Sequence, residues 1–90
     1  FESRYYIRLN VVDKPGVLAT ISGVLAKYGI SIASVTQKER LKSQVVPVVM
    51  ITHEAKEDKL RKALQLINKL NAVKEKPVAI RIEGVFPPSE

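Results

Sequence analysis

Residues 5–29, YYIRLNVVDKPGVLATISGVLAKYG, change hydrophobic period partway along, and that change decides the fold. Tyr5, Ile7, Leu9 and Val11 alternate with Tyr6, Arg8 and Asn10, so residues 4–12 read as a strand with one apolar and one mostly polar face. From Val17 to Tyr28 the apolar positions Val17, Leu18, Ile21, Val24, Leu25 and Tyr28 follow helical spacing instead. The switch happens at Asp13-Lys14-Pro15-Gly16. Asp13 is expected to cap the helix, Pro15 suits its first turn through a fixed φ, and Gly29 supplies a left-handed stop.

Outward from this unit, Ile30 to Lys38 reads as a second strand. Its apolar residues shift face between Ile32 and Ala33, which predicts a bulge or a strand covered on both faces. Arg40 to Gln44 is a charged hairpin connection. Val46 to Thr52 is apolar on both alternations, so this third strand is expected to be central or to face another protein. Pro47 is expected to mark where its pairing begins. A second helix is expected over Glu54 to Leu70, with Glu54, Glu57 and Asp58 in its first turns and Leu60, Ala63, Leu64, Ile67 and Leu70 on its inner stripe. Lys76-Pro77 opens a last, edge strand with Val78, Ile80 and Ile82 on one face. The order strand, helix, strand, strand, helix, strand predicts an α+β, ferredoxin-like βαββαβ sandwich. Its four-stranded antiparallel sheet would carry both helices on one face. The domain is expected over residues 1–84, with residues 85–90, including Pro87-Pro88, as an unstructured tail.

Composition narrows the function. Ninety residues, 46% hydrophobic and 27% charged, make one small globular domain. A chain that short gains considerably from packing against a neighbour. A start at Phe1 rather than Met is what a piece of a longer polypeptide would show. No apolar run approaches the ~20 residues of a membrane span, and no secretory signal is present, so a cytoplasmic location is the default expectation. The absence of cysteine excludes disulfides and thiolate metal sites.

Each catalytic or nucleic-acid reading has a plainer rival. His53 is the only histidine, placed at a strand-to-helix junction where capping or packing explains it; no Gly-rich phosphate loop, HxxxH spacing or paired carboxylates accompany it. The chain alone therefore reads as no enzyme, with no cofactor or metal of its own. The net charge of +6 raises RNA binding, which this topology supports through aromatics on its central strands. VVPVVMITH holds no aromatic residue, however, and only Tyr6 could serve as a platform. The basic residues Lys56, Lys59, Arg61, Lys62 and Lys69 instead give the second helix a solvated face. A metallochaperone would need CxxC in the first strand-to-helix turn, and an acylphosphatase-like site would need an arginine loop there, where Asp13 stands.

The first helix differs from the second. Its outer positions Ala19, Thr20, Ser22, Gly23 and Ala26 are small and uncharged, which fits a contact surface as readily as an ordinary exposed helix. The Asp-Lys-Pro-Gly turn before it is adequately explained as a helix start. The same geometry would also aim the backbone N–H groups of Gly16, Val17 and Leu18 at a carboxylate, with Asp13 placed to receive an ammonium or hydroxyl group. An amino acid carries both charges.

DKPGVLA followed by GISIASVTQ resembles the ACT domain, a regulatory βαββαβ module of amino-acid metabolism. With VPVVMITHEAKE and the closing VAIRIEG, the resemblance runs from Tyr5 to Gly84 and is strongest to the C-terminal ACT domain of homoserine dehydrogenases. Those enzymes reduce aspartate semialdehyde to homoserine with NAD(P)H on the route to threonine and methionine. The resemblance implies an allosteric domain sensing an amino acid, threonine above all, and pairing as a homodimer beside the catalytic domain of the parent enzyme. It implies an effector site in which Asp13, Gly16, Val17 and Leu18 face Ser31 and Ile32 of a partner, with Gln37 and Asn10 as further candidates. Serine-binding ACT domains are polar two positions before the aspartate; Val11 stands there, which implies a less polar pocket. A purely structural dimerisation domain of the same enzyme and a ferredoxin-like RNA-binding module are the alternatives.

Overall fold

Alternating burial along the first strand shows which way the sheet faces: Tyr5, Ile7, Leu9 and Val11 are buried while Arg8 is exposed and Tyr6 and Asn10 half-buried. The computed structural model describes residues 2–37 and 44–82. In chain order the elements are β1 (Glu2–Val12), α1 (Val17–Lys27), β2 (Ile32–Gln37), β3 (Val45–Thr52), β4 (Ala55–Lys56), α2 (Glu57–Asn68) and β5 (Val78–Ile82). All pairings between strands are antiparallel, in the spatial order β2-β3-β1 with β5 on the far side of β1. The α+β ferredoxin-like arrangement is therefore present. The expected bulge appears as a register shift between Ile32 and Ser34.

Both helices lie on the face that the buried residues of β1 and β3 share. Ile21 and Leu25 of α1 and Leu60, Ala63 and Ile67 of α2 join Ile7, Leu9, Val48 and Met50 in one core cluster. Each large aliphatic side chain withdrawn there contributes about 1.5–3 kcal/mol. Thr52 is the buried polar residue of the core. Its Oγ1 accepts a hydrogen bond from the Tyr5 N–H at 3.0 Å, standing in for a ladder bond where the β1–β3 register ends.

Four local expectations are corrected. Asp13 does not cap α1: Gly16, with φ of 86°, holds the residue before the helix and no side chain bonds there. The Asp13 N–H is instead held by the Gln44 carbonyl at 2.8 Å, and Pro15 precedes the helix rather than opening it. The second helix begins at Glu57, not Glu54, because Ala55 and Lys56 pair with Ser3 and Glu2. This short β4 resumes the line of β3 with a one-residue shift, since Ser3 opposes Ala55 where unbroken register would put Glu54.

Pro47 does not open the pairing of β3, which extends back to Val45 opposite Val12. The Asn10 carbonyl accepts from the Lys74 N–H at 2.8 Å, on the side of β1 away from β3. Asn10 and Pro47 are therefore a non-hydrogen-bonded pair, and the Pro47 nitrogen points toward β2, where the described register stops at Val48 opposite Gln37. On β5, Val78 and Ile80 are 49% and 56% exposed on the open face of the sheet, away from the core. The charged connection over residues 40–43 and the expected tail at 85–90 lie outside the described residues.

Candidate functional site

The sheet ends where the turn begins. β1 and β2 flank β3 and run in the same direction, so Val12 and Gln37 finish at the same end of the sheet. The chain leaves β1, turns through Asp13–Gly16 and enters α1. Here the Lys14 N–H bonds the Val12 carbonyl at 3.0 Å and the Val17 N–H bonds the Lys14 carbonyl at 3.3 Å. Gly16 is required by its left-handed backbone, and a Cβ there would meet no atom within 4 Å. The requirement is conformational rather than steric. The Gly16 carbonyl begins the helical ladder, accepting from the Thr20 N–H at 2.9 Å and the Thr20 hydroxyl at 3.0 Å.

The Val17 N–H is thus used within the turn. The N–H groups of Gly16, Leu18 and Ala19 have no hydrogen-bond partner among the described residues. They belong to the unpaired first turn that makes helix N-termini attract anions. No acidic residue occupies that turn.

A cavity of about 210 Å³ opens beside it, bounded by Val12, Asp13, Lys14, Gly16, Leu18 and, across the sheet end, Gln37. That is below the ~300–1,000 Å³ typical of sites for drug-sized ligands and suits something as small as one amino acid. The turn's other side forms a wider recess of about 340 Å³ against Leu70–Ala72.

Of the candidate residues, Asp13, Gly16, Val17, Leu18 and Gln37 line the one cavity. Asn10 lies elsewhere, on the open sheet face, where its Nδ2 donates to Glu75 Oε2 at 3.1 Å. Ser31 and Ile32 stand at the opposite end of β2, about 17 Å from Gln37 at ~3.3 Å per residue. The Ser31 carbonyl accepts from the His53 N–H at 2.9 Å, and Ile32 pairs with Thr52. One chain alone does not bring them to the turn. Lys14 was not singled out from sequence; its position inside the turn, next to the capping region, was the available signal.

Other chemistries find no support in the geometry. Among the described residues no three His, Asp or Glu side chains gather as metal ligands. Tyr6 lies between Ile51 and Ile80 rather than beside a second aromatic ring, so among the described residues its cross-strand neighbours give no stacking pair. No helix among the described residues is long and apolar enough to cross a membrane.

Comparison with known proteins fits this geometry. The chain is 37% identical over 83 residues to the homoserine dehydrogenase of Pseudomonas aeruginosa, covering 91% of this chain and 19% of that protein. The crystal structure of a homoserine dehydrogenase from Thiobacillus denitrificans superposes with a TM-score of 0.83 at 36% identity, over 92% of this chain and 18% of that one. The chain thus spans about a fifth of the length of the relatives it matches. The ACT domain of GTP pyrophosphokinase from Chlorobium tepidum shares the fold, with a TM-score of 0.65 at 21% identity over 91% of this chain and all of that one. The ACT domain family model matches residues 5–72, and the chain belongs to that family.

Proposed function

We propose that this chain is the regulatory ACT domain of a homoserine dehydrogenase, sensing an amino acid, threonine in particular, at a site shared between two paired copies. The observation that carries the reading is the cavity at the start of α1. Asp13, Gln37 and a helix start whose Gly16, Leu18 and Ala19 N–H groups have no partner among the described residues border a space of amino-acid size. The effector carboxylate would take the N–H groups of Leu18 and Ala19, and its ammonium would lie toward Asp13. The catalytic reaction, reduction of aspartate semialdehyde, and the NAD(P) cofactor belong to the remainder of the longer protein.

Pairing would complete the site. Among the described residues β2 hydrogen-bonds only to β3, and its residues are exposed from Ala33 to Gln37, including Val35 at 44%. Such an edge is a template for another strand. Antiparallel pairing of two β2 edges about a two-fold axis between Ser34 and Val35 sets Ile32 of the partner subunit opposite Gln37, and Ser31 of the partner subunit next to the cavity. An effector that binds only this paired arrangement shifts the population toward it. A differential affinity of about 1–3 kcal/mol is the usual scale for such coupling.

Calorimetric titration of the chain with threonine, alongside serine, isoleucine and methionine, tests the reading. Saturable threonine binding that disappears in Asp13→Ala supports it. A dimer that persists while no amino acid binds supports a purely structural dimerisation domain, which the exposed β2 edge alone would also serve.

A further inference from the structure

We propose that the open face of the sheet, across β1, β3 and β5, is the docking surface for the catalytic portion of the longer protein. The proposal rests on the reading that this chain is the regulatory part of such a protein. The register defines the surface. One cross-strand row sets Tyr6 between Ile51 and Ile80, and the next sets Arg8 between Val49 and Val78. Val78 and Ile80 are about half exposed, and Tyr6, Val49 and Ile51 remain partly so. Toward β2 the same rows become polar, ending in Thr36 opposite Val49 and Ser34 opposite Ile51. The apolar patch is therefore bounded on the side where two copies would pair.

Its size selects the occupant. With Arg4 opposite Ile82 as a third row, three strands ~4.8 Å apart and three residue pairs ~6.8 Å apart give roughly 300 Å² per partner. Buried from both sides, that falls short of the ~1,200 Å² of a stable complex between separate molecules, but lies within the ~600–1,500 Å² range of contacts between domains of one chain. A tethered partner, held at millimolar effective concentration, can use so small a surface. The relatives supply it, since about four-fifths of their length lies outside the matched region. Arg8, exposed in the middle of the patch, requires a carboxylate or carbonyl on the docking surface and places like charges together if two copies stack face to face.

Thiol labelling of Ile80→Cys tests the proposal, because the chain has no cysteine of its own and the adduct can be assigned by peptide mass. The variant is compared in the 90-residue chain and in the full-length protein, with Gln65→Cys on the outer face of α2 as control. The expected result is labelling about tenfold slower at position 80 in the full-length protein, as for a face exposed only when it undocks, with position 65 unchanged. Equal rates at position 80, or slowing at position 65 instead, overturn it. So does slowing in the isolated chain with rising concentration, which makes a second copy the occupant. A rise in the isolated chain's rate on removing residues 83–90 does the same in favour of its own terminus. Each outcome is read without added amino acid, so failure here is distinct from failure of effector binding.

Discussion

The two helices bury the same kind of stripe against the same sheet, yet they begin in opposite ways. α2 is entered from Lys56 in extended conformation and carries Glu57 and Asp58 in its first turn. α1 is entered from Gly16 in left-handed conformation and has no acidic residue there. Neither has a side-chain cap. The partial positive charge at the start of α2 is met by its own carboxylates, an effect of about 0.3–1 kcal/mol. At the start of α1 it faces a cavity. A helix whose first turn carries no acid of its own, beside a small cavity, has room for an anion from outside, and this contrast underlies the functional reading.

The helices should be most alike in the core. Leu25→Ala in α1 and Ile67→Ala in α2 each remove a fully buried side chain and should cost about 2–5 kcal/mol by urea denaturation. A much smaller loss on either side would mean that helix is not packed as described. The contrast appears at the entries. Gly16→Ala forces a left-handed alanine and should cost about 1–2 kcal/mol despite open space around it, while Lys56→Ala stays within about 0.5 kcal/mol.

The terminal charges should then exchange roles. Ala19→Glu places an acid in the first turn of α1; it should stabilise the fold by about 0.3–1 kcal/mol while weakening threonine binding in calorimetry. Glu57→Gln with Asp58→Asn should lower stability by a similar amount and leave binding unchanged. Stronger binding by Ala19→Glu would break the comparison. The smallest effect belongs to Arg61→Ala. It loses a 4.0 Å pair with Glu57 between largely exposed side chains, worth at most about 0.5 kcal/mol in thermal denaturation.

Periodic features were legible in the sequence because they depend on neighbours along the chain. The buried face of β1, the stripe of α1, the stop at Gly29, the bulge after Ile32 and the central place of β3 all follow from spacing. What escaped depends on partners far away in sequence. Ala55 and Lys56 fit a helix start by composition but are extended where they pair with Ser3 and Glu2. Asp13 has the chemistry of a cap, but its N–H is drawn toward Gln44 and the cap position falls to Gly16. Val78 and Ile80 alternate like core residues, yet no helix among the described residues covers that face. At the site, the turn was visible as a motif, and the approach of Gln37 follows once the strand order is known. Ser31 and Ile32 could not be joined to it from one chain, because their proposed neighbours belong to another.

The central claim is that one ligand bridges the start of α1 and the β2 strand of a paired copy. Backbone amide shifts followed by NMR during a threonine titration test it most directly. The account predicts that the amides of Gly16, Leu18 and Ala19 move together with those of Ser31 and Ile32, along one saturation curve. Saturable threonine binding that leaves either group of amides unmoved would contradict it.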